Sequence, residues 1–174
     1  LSDRQLTWYG RAGEVLGTVG EPGDYKGLAL SPDGTRLAAS KGSDPTANIW
    51  LLDLAHDGAA TRFTFSSSGS DRNPVWSPDG RDIIFTSDRD GGINLYRKPA
   101  SGAQDEELML RSAEKITATS WSPDKHFLLF DLVSPKTQID IWVLPLEGER
   151  KPVSFQATQA LDAQARVSPL CQHD

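Results

Sequence analysis

The residues of this chain that could do chemistry are few, and their spacing does not assemble them. The histidines, His56, His126 and His173, are 70 and 47 residues apart, which fits neither a zinc ligand set nor the partners of a Ser-His-Asp triad. Cys171 is the single cysteine, so no intrachain disulfide is available. No Gly-x-Ser-x-Gly elbow and no Gly-rich phosphate loop ending in Lys occurs, and Ser66-Ser67-Ser68-Gly69-Ser70 has simply the composition of a loop. Asp88 and Asp90 have the alternate spacing of a calcium loop but lack a third ligand and the distal Glu. A turn whose Asp side chains bond their own backbone accounts for them better. These residues predict no catalytic group, no metal site and no cofactor.

Three other carboxylates, Asp33, Asp79 and Asp124, point to what positions everything else. They belong to Ser31-Pro32-Asp33-Gly34, Ser77-Pro78-Asp79-Gly80 and Ser122-Pro123-Asp124-Lys125, with a last start at Ser168-Pro169, spaced by 46, 45 and 46 residues. A second marker runs in phase: Asn48-Ile49-Trp50, Asn94-Leu95-Tyr96 and Asp140-Ile141-Trp142 follow their own Ser by 17, 17 and 18 residues. Pro presets φ for the first central turn position, Asp suits the second, and Gly takes a left-handed bulge, so each tetrad is a hairpin corner. The apolar triplets after the corners, Leu37-Ala38-Ala39, Ile83-Ile84-Phe85 and Leu128-Leu129-Phe130, read as strands covered on both faces.

A third strand carrying the aromatic marker and a variable fourth strand complete each period. Four antiparallel strands per period of about 46 residues is the pattern of a propeller blade. The predicted fold is therefore all-β, a β-propeller of four-stranded antiparallel blades in a single domain. It has a partial blade over 1–20, blades over about 27–64, 73–110 and 118–155, and the start of another at 164–170. Trp50, Tyr96 and Trp142 repeat at one blade position and Trp76 and Trp121 at another, as expected of packing between blades.

The corners, the preceding Trp76 and Trp121, and the loop Ser87-Asp88-Arg89-Asp90-Gly91-Gly92 leading into Asn94-Leu95-Tyr96 resemble the bacterial PD-type repeat. That repeat occurs in TolB, in Tricorn and prolyl-oligopeptidase-like peptidases, and in propeller regions following bacterial serine/threonine kinase domains. The resemblance runs from Leu6 through Pro169. Gln5-Leu6-Thr7-Trp8-Tyr9, Ile49 to Leu54 and Lys98 to Gly102 are most similar to the kinase-associated group, which implies an extracytoplasmic part of a larger bacterial protein. The sequence departs from the pattern at Lys125, where Gly is expected, and after Pro169, where Leu170-Cys171-Gln172-His173-Asp174 replaces a corner.

A net charge of -6 argues against a nucleic-acid surface. No apolar run approaches the roughly 20 residues that span a bilayer, so no membrane insertion by this segment is expected. The repeat thus predicts a non-catalytic module that binds a protein or peptide or senses a ligand. The alternatives are an accessory gating propeller of a prolyl-oligopeptidase-like hydrolase and an enzyme with its site in the channel. Function is expected on the face opposite the corners, where inter-blade connections and strand-two-to-three loops gather. The candidate partner-binding residues there are Tyr25, Lys26, Asp71, Arg72, Asp88, Arg89 and Lys115, with Asp24, Asp44, Asn73, Glu114 and Lys136 beside them. Three whole blades are fewer than the four to eight typical of a closed ring, so self-association that completes the propeller is also expected.

Overall fold

The computed structural model of the protein describes residues 3–156 and 163–167. Fourteen strands and no helix occur among them. β1 (Arg4–Tyr9) and β2 (Val15–Gly23) pair as a two-stranded ribbon. Three four-stranded sheets follow: β3 (Tyr25–Leu30), β4 (Arg36–Lys41), β5 (Asn48–Asp53) and β6 (Ala59–Arg62); β7 (Asp71–Trp76), β8 (Asp82–Ser87), β9 (Asn94–Pro99) and β10 (Glu107–Leu110); β11 (Lys115–Trp121), β12 (Phe127–Ser134), β13 (Gln138–Pro145) and β14 (Val153–Gln156). Spatial order equals chain order and every pairing is antiparallel, so each sheet is a blade wound from first strand to fourth. The first strands pack side by side, β7 between β3 and β11.

The blades are joined by apolar layers that explain the unbroken apolar triplets. Ile83 and Phe85 of β8 pack with Ala38, Ile49 and Trp76 toward the first blade. Ile84, between them in sequence, packs with Ile116, Leu128 and Phe130 toward the third. Alternate side chains leave a strand on opposite faces, and both faces of the middle blade are covered. A third layer, Val19, Tyr25, Ala39 and Leu52, fixes the ribbon to the first blade. The repeated aromatics sit in these layers: Tyr96 in the first, Trp142 and Trp121 beside the second, Trp50 beside the third. The terminal elements carry exposed apolar side chains, Trp8, Tyr9, Val15 and Leu16 in the ribbon and Val153 and Phe155 in β14.

The first strands begin at Tyr25, Asp71 and Lys115, ahead of the apolar residues that mark them in the sequence, and the ribbon runs on to Gly23. Each first strand is interrupted by a bulge, at Lys26/Leu28, Arg72/Val75 and Ala118/Ser120. The bulge residues Gly27 (φ 49°) and Asn73 (φ 52°) are left-handed. The extra residue breaks the two-residue alternation, so polar residues upstream of it read as loop. The stretch expected to open a further blade shows no strand over residues 163–167, and Ser168 to Leu170 lie outside the described residues.

Candidate functional site

The three corners are built alike. Ser31 Oγ donates to Asp33 Oδ1 at 2.6 Å and accepts the Arg36 N–H at 2.9 Å, while Asp33 also accepts the Thr35 N–H at 3.0 Å. The second corner repeats this with Ser77, Asp79, Arg81 and Asp82, and the third with Ser122, Asp124, His126 and Phe127. The Ser hydroxyl and these N–H groups stabilise the charged carboxylate, drawing Asp33 and Asp79 down to about 2 and Asp124 below its ordinary value. These Asp residues therefore fasten turns. Lys125 adopts the left-handed conformation of Gly34 and Gly80, with φ values of 68°, 72° and 68° respectively. Its ammonium reaches Asp79 of the neighbouring corner at 3.1 Å. Arg36 also bridges blades, its guanidinium 4.8 Å from the Trp76 ring centre and bonded to the carbonyls of Gly80 and Ala100.

On the opposite face the structure brings together four of the predicted site residues, and they satisfy one another. Arg72 of β7 holds Asp44 in the β4–β5 loop through Nε at 3.0 Å and Asp88 in the β8–β9 loop through Nη1 at 3.2 Å. Ser70 joins the same knot, its N–H donating to Asp88 at 2.6 Å and its hydroxyl to Asp44 at 3.3 Å. The bond from Arg72 holds the Asp44 carboxyl below the usual range. Arg89 places Nη2 2.7 Å from Asp71 and Nη1 3.4 Å from Glu106, with its guanidinium 4.8 Å from the Tyr96 ring centre. Tyr96 donates to Asp90 at 2.6 Å, and burial followed by that carboxylate pushes its hydroxyl up to about 12. Asp88 and Asp90 thus serve different cations and donors and do not converge.

Two expectations are corrected here. Tyr25 is a residue of β3 and only 2% exposed, packed in the ribbon layer with its hydroxyl on the Glu21 carbonyl at 2.8 Å. Asp71 is fully buried under Arg89. Neither side chain is presented to a partner, because the strand begins before the bulge and turns both inward. Lys26, 3.5 Å from Asp24, is partly exposed, and Lys115, Glu114 and Lys136 are exposed. The histidines that are described lie on turns: His56 is 2.9 Å from Asp53, and His126 is 3.6 Å from Glu147. His173 and Cys171 lie outside the described residues.

The bulged first strands wall a cavity of about 510 Å³. Gly27, Asn73, Thr117, Thr119, Trp121, Asp131, Gln164 and Arg166 line it. The sequence reading missed Asp131, Gln164 and Arg166. A signal was present, since the position nine residues after each corner Ser holds Ser40, Thr86 and then Asp131. Thr86 is satisfied within its blade, donating to the Arg72 carbonyl at 3.0 Å and accepting from Asn73 Nδ2 at 3.3 Å. Asp131 instead accepts the Gln164 N–H on both oxygens at 3.1 Å, and burial pushes its carboxyl up.

Blades wound outward from bulged inner strands, fastened by corners on one face and ion pairs on the other, define an open arc of β-propeller. Residues 16–169 match the family described as PD40, TolB beta propeller domain, and the chain belongs to that family. It is similar to a TolB protein of Agrobacterium tumefaciens, with a TM-score of 0.74 and 20% identity over 90% of this chain and 53% of that one. TolB of Acinetobacter baumannii gives a TM-score of 0.67 at 19% identity, over 83% of this chain and 35% of that one. Among curated proteins, the uncharacterized peptidase YuxL of Bacillus subtilis (strain 168) is 33% identical over 106 residues, 57% of this chain and 16% of YuxL. The chain therefore spans well under two thirds of these relatives.

Proposed function

We propose that this chain is a non-catalytic binding module of a larger bacterial protein, and that it takes a protein or peptide on the loop face. One observation supports this above others. The corners repeat the same hydrogen bonds three times, whereas the loop face carries unlike side chains on loops tied together by Arg72 and Arg89. Variation on a fixed scaffold is how repeat proteins build a specific surface, and loops already held in place lose less freedom on binding. The contact residues on this reading are Lys26, Glu114 and Lys115, with Lys136 at the rim, and Arg72, Asp88 and Arg89 fasten the β4–β5 and β8–β9 loops beside them.

A displayed peptide library selected against the protein, followed by calorimetric titration of an enriched peptide, tests this. Lys26→Ala with Lys115→Ala is expected to weaken binding about tenfold or more, while Arg81→Ala on the corner face leaves it unchanged. Equal affinity for both variants overturns the assignment of the face. The similarity to YuxL favours a second reading, an accessory propeller that gates a hydrolase. The coding sequence on either side separates the two: a kinase domain and membrane segment upstream supports a sensing module, a nucleophile elbow downstream the gate.

A further inference from the structure

The cavity walled by the first strands carries two opposite charges that no other described side chain neutralises. Asp131 is 9% exposed. Its bonds come from the neutral Gln164 N–H, and no cation among the described residues lies within ion-pair range of it. Arg166, two residues beyond Gln164, lines the same cavity and is exposed. It likewise has no described carboxylate in range. Thr117, Thr119, Ser120, Trp76 and Trp121 line the same cavity.

The repeat makes the carboxylate informative. Position nine is a small hydroxyl in the other two blades, and one neutral acceptor would satisfy the Gln164 N–H. Burying a carboxylate without a cation is unfavourable. A negative charge offers what a hydroxyl does not, a seat for a cation arriving from outside the chain. We infer that this cavity binds a small zwitterion, a free amino acid or short peptide, with its ammonium group on Asp131 and its carboxylate on Arg166. The volume of about 510 Å³ lies within the range of small-molecule sites, about 300–1,000 Å³. The site shares no residue with the loop-face contacts and stands or falls separately from them.

Triglycine is the probe, titrated by calorimetry while the Trp121 indole N–H resonance is followed. Binding is expected with a shift of that resonance, and N-acetyl-triglycine and triglycine amide are each expected to bind about tenfold or more weakly. Asp131→Asn keeps an acceptor for the Gln164 N–H but removes the charge. It is expected to weaken triglycine by the same factor and to have no further effect on the acetylated peptide. Arg166→Gln is expected to do the same against the amide. Absence of triglycine binding, equal affinity for the blocked peptides, or full affinity in Asp131→Asn overturns the inference. Should Asp131→Asn not fold, the blocked peptides on the unaltered protein decide. Lys26→Ala with Lys115→Ala leaves triglycine affinity unchanged, which separates this result from failure of the loop-face proposal.

Discussion

Lys125 shows how one side chain can trade backbone strain for a contact between blades. Its left-handed φ of 68° costs a residue with Cβ about 1 kcal/mol more than glycine, and its exposed pair with Asp79 returns about 0.2–1 kcal/mol. Lys125→Gly is therefore expected to leave the urea midpoint equal or slightly raised at low salt. At high salt, where the pair is screened, the midpoint should rise clearly; a lower midpoint in both conditions would refute the balance. The corner carboxylates give a pH prediction. Asp33 and Asp79 sit at about 2, below the unfolded value of about 3.9. Their contribution is thus complete above about pH 5 and lost progressively as pH falls through about 2. Because the Ser hydroxyl is the largest cause of each shift, Ser31→Ala and Ser77→Ala should raise the Asp33 and Asp79 titrations in NMR. Should both midpoints stay at about 2, that hydroxyl is not what holds them. The corners were legible because Pro, Asp and Gly each serve one conformational need in a fixed order. Asp131 was not, because nothing in its own strand marks it, and only its departure from the hydroxyls at the same repeat position, Ser40 and Thr86, could have done so.

At the scale of the element, the first strands are where sequence reading and structure part. Local alternation identifies a strand only while the pleat is regular, and the bulges at Gly27 and Asn73 end that regularity after two residues. What then holds Tyr25 and Asp71 in a strand comes from other blades and loops: the ribbon layer for one, Arg89 for the other. The two arginines should differ accordingly. Removing Arg89 leaves the fully buried Asp71 without its cation, and Arg89→Ala is expected to cost about 3–5 kcal/mol. Arg72→Ala leaves the exposed Asp44 and partly exposed Asp88 to water and should cost about 1 kcal/mol, in the range of an ordinary hydrogen-bonded contact. Its main effect should be faster amide exchange in the β4–β5 and β8–β9 loops. Denaturant unfolding of both variants checks the order; a costlier Arg72→Ala would mean that the loop knot, and not the buried pair, carries the face.

Across the whole molecule, an arc of blades has two ends, and the elements there, the ribbon and β14, carry exposed apolar side chains. The protein alone is therefore expected to associate through these ends in light scattering. Leu16→Lys with Phe155→Lys should shift it toward the monomer, whereas a monomer at every concentration before substitution would count against end-to-end contact. The alternation of Ile83, Ile84 and Phe85 between two apolar layers has a thermodynamic consequence. Each blade draws its stability from its neighbours, so the chain behaves as a short one-dimensional lattice with nearest-neighbour coupling. Only the middle blade is coupled to a complete blade on each side. Melting should start as fraying at the ribbon and at β14 and advance inward, with the slowest-exchanging amides confined to β8 and β9.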